Sequence, residues 1–192
     1  MTHSYADGGP GIGSVRERSS IPMPTYSSPA TEVLVVADCW SAEADADAVI
    51  HRAIEAAAAM VDTDTADAEL AVMLTDDAGI RTLNQNWRGI DKPTNVLSFP
   101  ALQPPEGANE PDDMPRMLGD IAIAYETTRR EADEEDKTFA NHLSHLAIHG
   151  FLHLVGYDHE KDDEAEEMEA LEREILATLG IPDPYADQDR VT

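Results

Sequence analysis

Five of the seven histidines in this 192-residue chain fall in one run, HLSHLAIHGFLHLVGYDH, at His142, His145, His149, His153 and His159. Imidazole serves as metal ligand and proton carrier, so spacing decides which chemistry is on offer. With 3.6 residues per helical turn, His149 and His153 lie one turn apart on one face, and both rings can reach a single ion. Gly156 follows His153 by three residues, where a left-handed turn can end the helix and bring His159 back to the same point. His-x3-His-x5-His is the spacing of three ligands for one ion. Three neutral imidazoles at about 2.0–2.1 Å leave one tetrahedral position of a zinc ion open for water, as a catalytic site requires and a closed structural site does not. His142 and His145 share the same stripe and are expected to support the ligands or the packing. Asp158 is placed to orient an imidazole N–H.

The rest of the chain must hold that helix. Hydrophobic residues at 42% and charged residues at 27% describe a chain able to bury a core, and its length suits one domain with tails. Residues 1–30, with GGPGIG and PMPTYSSPA, read as a disordered extension, 31–180 as the domain and 181–192 as a flexible tail. Short apolar runs predict strands at 32–37, 69–75, 95–99 and 119–124, with 101–117 as a long Pro-rich loop. Helical spacing predicts helices at about 43–60, 77–87, 125–135, 138–155 and 162–179. This is an α+β pattern: a small mixed four-stranded sheet packed with about five helices, the metal-site helix lying in the C-terminal half.

A single cysteine, Cys39, allows neither an internal disulfide nor a thiolate metal cage, which fits a reducing cytoplasm. No run approaches the roughly 20 apolar residues of a membrane helix, and MTHSYADGG does not open like an export signal. The net charge of −26, with lysine only at Lys92, Lys137 and Lys161, suits a salt-accumulating cytoplasm and repels nucleic acid at low salt. Local departures from acidity are therefore the informative signal. Residues 78–100 hold three bases, Arg81, Arg88 and Lys92, against one acid, Asp91, a local +2, and in 138–159 the only acid is Asp158. Burial accounts for the neutral helix but not for the three bases. Together the two stretches are what a phosphate-binding cleft in an acidic shell requires.

The zinc-protease pattern HExxHxxGxxH has its histidines and glycine at the same offsets, but the Glu that serves there as general base is Gly150 here, so peptide hydrolysis by that route lacks its proton acceptor. HGFLHLVGYDH instead resembles the signature of the YbeY endoribonucleases, which act as rRNA maturation factors in bacteria. LNQNWRGIDKPTNVLSFP, LGDIAIA and the C-terminal EAEEMEALEREIL are similar to further stretches of that family. The resemblance implies a zinc-dependent, single-strand-specific endoribonuclease that matures the 3′ end of 16S rRNA and takes part in ribosome quality control. It implies one zinc ion on His149, His153 and His159, and a catalytic role for Arg88. Its implied partners are ribosomal RNA and the small ribosomal subunit or its assembly factors. Trp87 stands where the family usually has Tyr. Arg81 and Lys92 are then expected to contact RNA phosphates. The competing reading from a different class is an RNA-binding assembly factor whose zinc only holds the fold.

Overall fold

The computed structural model describes residues 28–102, 115–159 and 161–186. Nearly all of the expected disordered extension, the middle of the expected long loop and the last six residues of the expected tail lie outside them. The elements are β1 (Ala30–Val35), α1 (Ala46–Ala58), β2 (Ala68–Thr75), α2 (Asp77–Arg88), β3 (Val96–Pro100), β4 (Arg116–Ala124), α3 (Tyr125–Glu134), α4 (Phe139–Leu154) and α5 (Asp162–Thr178), with a short 3-10 turn at Asp38–Ala42. This is the expected α+β domain with a four-stranded mixed sheet and five helices. The strand order is β1-β2-β4-β3; β1, β2 and β4 run parallel, and β3 closes one edge antiparallel to β4.

Alternation along β2 separates the two faces of the sheet. Leu70, Val72 and Leu74 point into the larger core with Ile121 and Ile123 of β4, while Met73 and Ala122 point to the opposite face. Val49, Ile50, Ala53, Ile54 and Ala57 form the apolar stripe of α1, and α4 packs beside it over the larger core. Phe151, Ile148 and Leu152 of α4 are fully buried there, each burial worth about 1.5–3 kcal/mol. α2 covers the other face more thinly: only Ile80 and Asn84 are buried, and a smaller cluster of Ile80, Leu97, Ala122 and Ala124 forms with Leu83 and Phe99 at its margin. No helix among the described residues is long and apolar enough to cross a membrane.

Two boundaries differ from expectation. β4 begins at Arg116, so the strand takes in the end of what reads as loop. Residues 181–186, expected to trail off, lie against the domain: Ile181 packs on the larger core, Lys137 Nζ donates to the Pro184 carbonyl (3.0 Å), and the Arg173 guanidinium sits 5.0 Å from the Tyr185 ring centre.

Candidate metal centre

Thr138 caps α4 by accepting from the Asn141 N–H (3.2 Å), and the helix then runs to Leu154. Its end is a Schellman turn: the Tyr157 N–H donates to the Leu152 carbonyl (3.0 Å) and the Gly156 N–H to the His153 carbonyl (3.2 Å), with Gly156 at φ 101°. That reversal returns His159 to the helix. The ring centres of His153 and His159 are 4.9 Å apart, those of His149 and His159 are 5.6 Å apart, and one ligand nitrogen from each of the three lies within 4.8 Å of the others.

The hydrogen bonds fix which nitrogen each ring presents. His149 Nδ1 lies 2.8 Å from Glu172 Oε1 and His153 Nδ1 lies 3.0 Å from the Tyr157 carbonyl. A carboxylate and a carbonyl only accept, so both Nδ1 atoms carry the proton and both Nε2 atoms keep a lone pair. Those two Nε2 atoms face each other at 3.1 Å. Two facing lone pairs repel unless a proton or a metal ion lies between them, and two nitrogens on one tetrahedral zinc stand about 3.3 Å apart, close to the separation here. The residues present therefore fit a metal ion. Burial holds the His153 imidazole below its ordinary pKa, and the neighbouring rings of His149 and His159 push the same way, favouring the neutral, ligating form.

Glu172 of α5 is the residue that the sequence reading missed. It is 0% exposed, and beside His149 it accepts from His145 Nε2 (3.2 Å) and, through a short contact, from the Tyr185 hydroxyl. Burial alone raises a carboxylic acid, but the hydrogen bonds from His145 and His149 outweigh it and bring Glu172 down to about 2. Tyr185 is pushed well up by burial and by the Glu172 charge, so it stays a donor. His145 touches the carboxylate that also contacts His149, and it lies outside the group of three converging histidines. Asp158 differs from expectation. Its exposed carboxylate accepts from the His159 backbone N–H (2.8 Å), while Glu172 and the Tyr157 carbonyl take the Nδ1 protons of His149 and His153. His142 is engaged elsewhere, 2.8 Å from Glu131, whose other donor is Asn95 (3.0 Å).

Gly150, where the protease pattern has its Glu, is buried, and a Cβ there would stand 2.9 Å from Ile121 Cγ2. Its carbonyl accepts from Ser98 Oγ (3.2 Å), tying α4 to β3. Close helix–sheet packing accounts for the glycine and leaves no room for a carboxylate side chain. Arg88 is the last residue of α2, exposed, and with Lys92 it has no carboxylate within 4.0 Å among the described residues. Arg81 is different: Nε and Nη2 grip the two oxygens of Asp91 at 2.6 and 2.9 Å, so its charge is already answered by the loop that follows α2.

The fold and this site define an α+β protein whose histidine triad can hold one metal ion. Comparison with known proteins names the family: the model described as Endoribonuclease YbeY matches residues 37–180, and the chain belongs to that family of RNA-cleaving enzymes. Endoribonuclease YbeY of Rhodopseudomonas palustris (strain BisB18) is 79% identical over 169 residues, covering 88% of this chain and 99% of that one. Its counterpart in Nitrobacter hamburgensis is 74% identical over 182 residues, covering 95% of each. The solution structure of TM1509 from Thermotoga maritima is 25% identical with a TM-score of 0.44, covering 78% of this chain and 91% of its own.

Proposed function

We propose that the chain is a zinc-dependent, single-strand-specific endoribonuclease of the cytoplasm that matures the 3′ end of 16S rRNA and serves in ribosome quality control. On this reading it works with the small ribosomal subunit or its assembly factors. The observation that carries the metal dependence is the convergence of His149, His153 and His159, with two Nε2 lone pairs facing at 3.1 Å. An ion held by His149, His153 and His159 would supply a Lewis acid and would acidify a water there. Glu172 and the Tyr157 carbonyl hold the imidazoles in the ligating tautomer. Arg88, exposed and free of a described carboxylate, makes charge-assisted contacts to the scissile phosphate and its developing charge. Lys92 contacts a neighbouring phosphate, whereas Arg81 must leave Asp91 to do so. His145 is tied to Glu172, which leaves the exposed Asp158 to take the proton of the attacking group, a water or the RNA 2′-hydroxyl.

The test is cleavage of a single-stranded RNA by the purified protein, with and without a chelator, beside the His153→Ala variant. Both treatments are expected to abolish cleavage, and metal analysis is expected to fall from about one equivalent to near none in the variant. Binding without cleavage by the metal-loaded wild type would instead leave an RNA-binding assembly factor.

A further inference from the structure

We propose that Trp87 and Phe99 form a stacking platform for one unpaired base of the RNA, flanked by Arg88 and Lys92 as phosphate contacts. The proposal rests on the RNA reading above and adds to it a place where the strand is gripped.

The chain has two tryptophans, and the fold treats them oppositely. Trp40 is 2% exposed, packs edge-on against Tyr125 and Phe139, and donates its indole N–H to the Thr75 carbonyl (2.8 Å). Trp87 is 72% exposed. It lies on the stripe of Ile80 and Asn84, but in the last turn of α2, where the stripe is no longer buried. Its ring meets Phe99 at the rim of the smaller core, with ring centres 5.6 Å apart and planes at 57°. Most of the indole therefore faces solvent at a cost that packing does not offset.

Charge points to the occupant. In a chain of −26, the residue after Trp87 is an arginine without a described carboxylate partner, and the loop beyond carries a lysine in the same state. That loop is folded back onto the helix: Asn84 Nδ2 donates to the Lys92 carbonyl (2.8 Å) and the Ile90 N–H to the Asn84 carbonyl (3.3 Å), which keeps Lys92 at the Trp87 end of α2. A flat aromatic face beside two unanswered cations is the combination that binds single-stranded nucleic acid, the bases stacking and the phosphates pairing.

The platform also has a fixed relation to the triad. Phe99 and Ser98 are neighbours on the edge strand β3 and point to opposite faces; Phe99 meets Trp87 on the α2 side, and Ser98 donates to the carbonyl of Gly150, the residue after His149, on the α4 side. A strand bent around this edge passes from the platform to the metal centre.

The test uses the metal-loaded full chain with two ligands of equal phosphate count, an oligouridylate and its abasic counterpart. Because Trp40 is buried, fluorescence quenching reports on Trp87. Wild type is expected to be quenched by the oligouridylate and not by the abasic chain. By anisotropy of the labelled oligomers, Trp87→Ala is expected to bind the oligouridylate about 10-fold more weakly, to bind the abasic chain as wild type does, and to recover most of its affinity as Trp87→Phe. An unshifted melting temperature confirms that the exposed substitution leaves the fold intact. Equal affinity of wild type and Trp87→Ala for the oligouridylate overturns the platform while the RNA reading stands. Failure of wild type to bind either oligomer overturns both.

Discussion

Glu172→Ala separates holding the fold from holding the metal. The substitution removes the acceptor of His149 Nδ1, of His145 Nε2 and of the Tyr185 hydroxyl in one step, at a position with 0% exposure. Losing one member of a buried charged network costs about 3–5 kcal/mol, which for a domain of this size lowers the melting temperature by roughly 10 °C. The effect on the metal is separate. With no acceptor, His149 is free to rotate or to move its proton to Nε2, and loss of such a partner typically weakens metal binding about 10- to 100-fold. Glu172→Gln keeps the volume and one carbonyl oxygen for His149, so it is expected to fall between Ala and wild type in both measurements. The assay is competition for zinc against a chromophoric chelator, run beside thermal melts of the metal-free and metal-loaded proteins. A residue that only fills the core would lower the metal-free melt and leave the zinc dissociation constant alone. An unchanged constant in Glu172→Ala refutes the positioning role.

Arg88→Lys keeps the charge and loses the planar fork, so cleavage is expected to fall while the melting temperature holds; normal cleavage by Arg88→Ala would remove Arg88 from the mechanism. Burial pushes Glu131 up, but hydrogen bonds from His142 and Asn95 outweigh it and leave its pKa below the ordinary value, so their contribution to stability is full above that value and lost as pH falls through the lowered one. Acid unfolding followed by circular dichroism from about pH 5 downward is therefore expected to be steeper for wild type than for Glu131→Gln, and matching curves would refute the pairing. Gly150→Ala places a methyl 2.9 Å from Ile121 Cγ2 and is expected to cost about 1–3 kcal/mol by denaturant titration, and to cost less when made in an Ile121→Ala background.

The convergence of the three histidines was legible because its information is local: a one-turn histidine pair, a helix-stopping glycine and a third histidine just beyond it. The acceptors that fix the rings are not local. One is the backbone carbonyl of Tyr157, which any residue type supplies, so sequence favoured the neighbouring Asp158 carboxylate instead. The other sits in α5 among many exposed acids, where composition hides it. Spacing did carry a signal, since Glu172 shares the stripe of Met168, Ile175 and Leu176, and a carboxylate at a core position demands a partner. The strands and helices followed from periodicity, whereas the order β1-β2-β4-β3 depends on crossovers that no local pattern encodes. Residues 181–186 lack periodicity and read as tail, yet the Tyr185 hydroxyl is a contact of the buried carboxylate.

The placement of Glu172 on α5 sets an order of assembly. Synthesis delivers the chain from its N-terminal side, so α4 and its histidines emerge before the carboxylate, which follows His149 by 23 residues. The tyrosine that closes on that carboxylate follows it by a further 13. Until α5 docks, His149 has nothing to hold its ring, and the three nitrogens are a loose chelator instead of a shaped site. The histidine triad is thus finished late: a nascent chain still attached to its ribosome has the three side chains without the geometry that lets them hold one ion together.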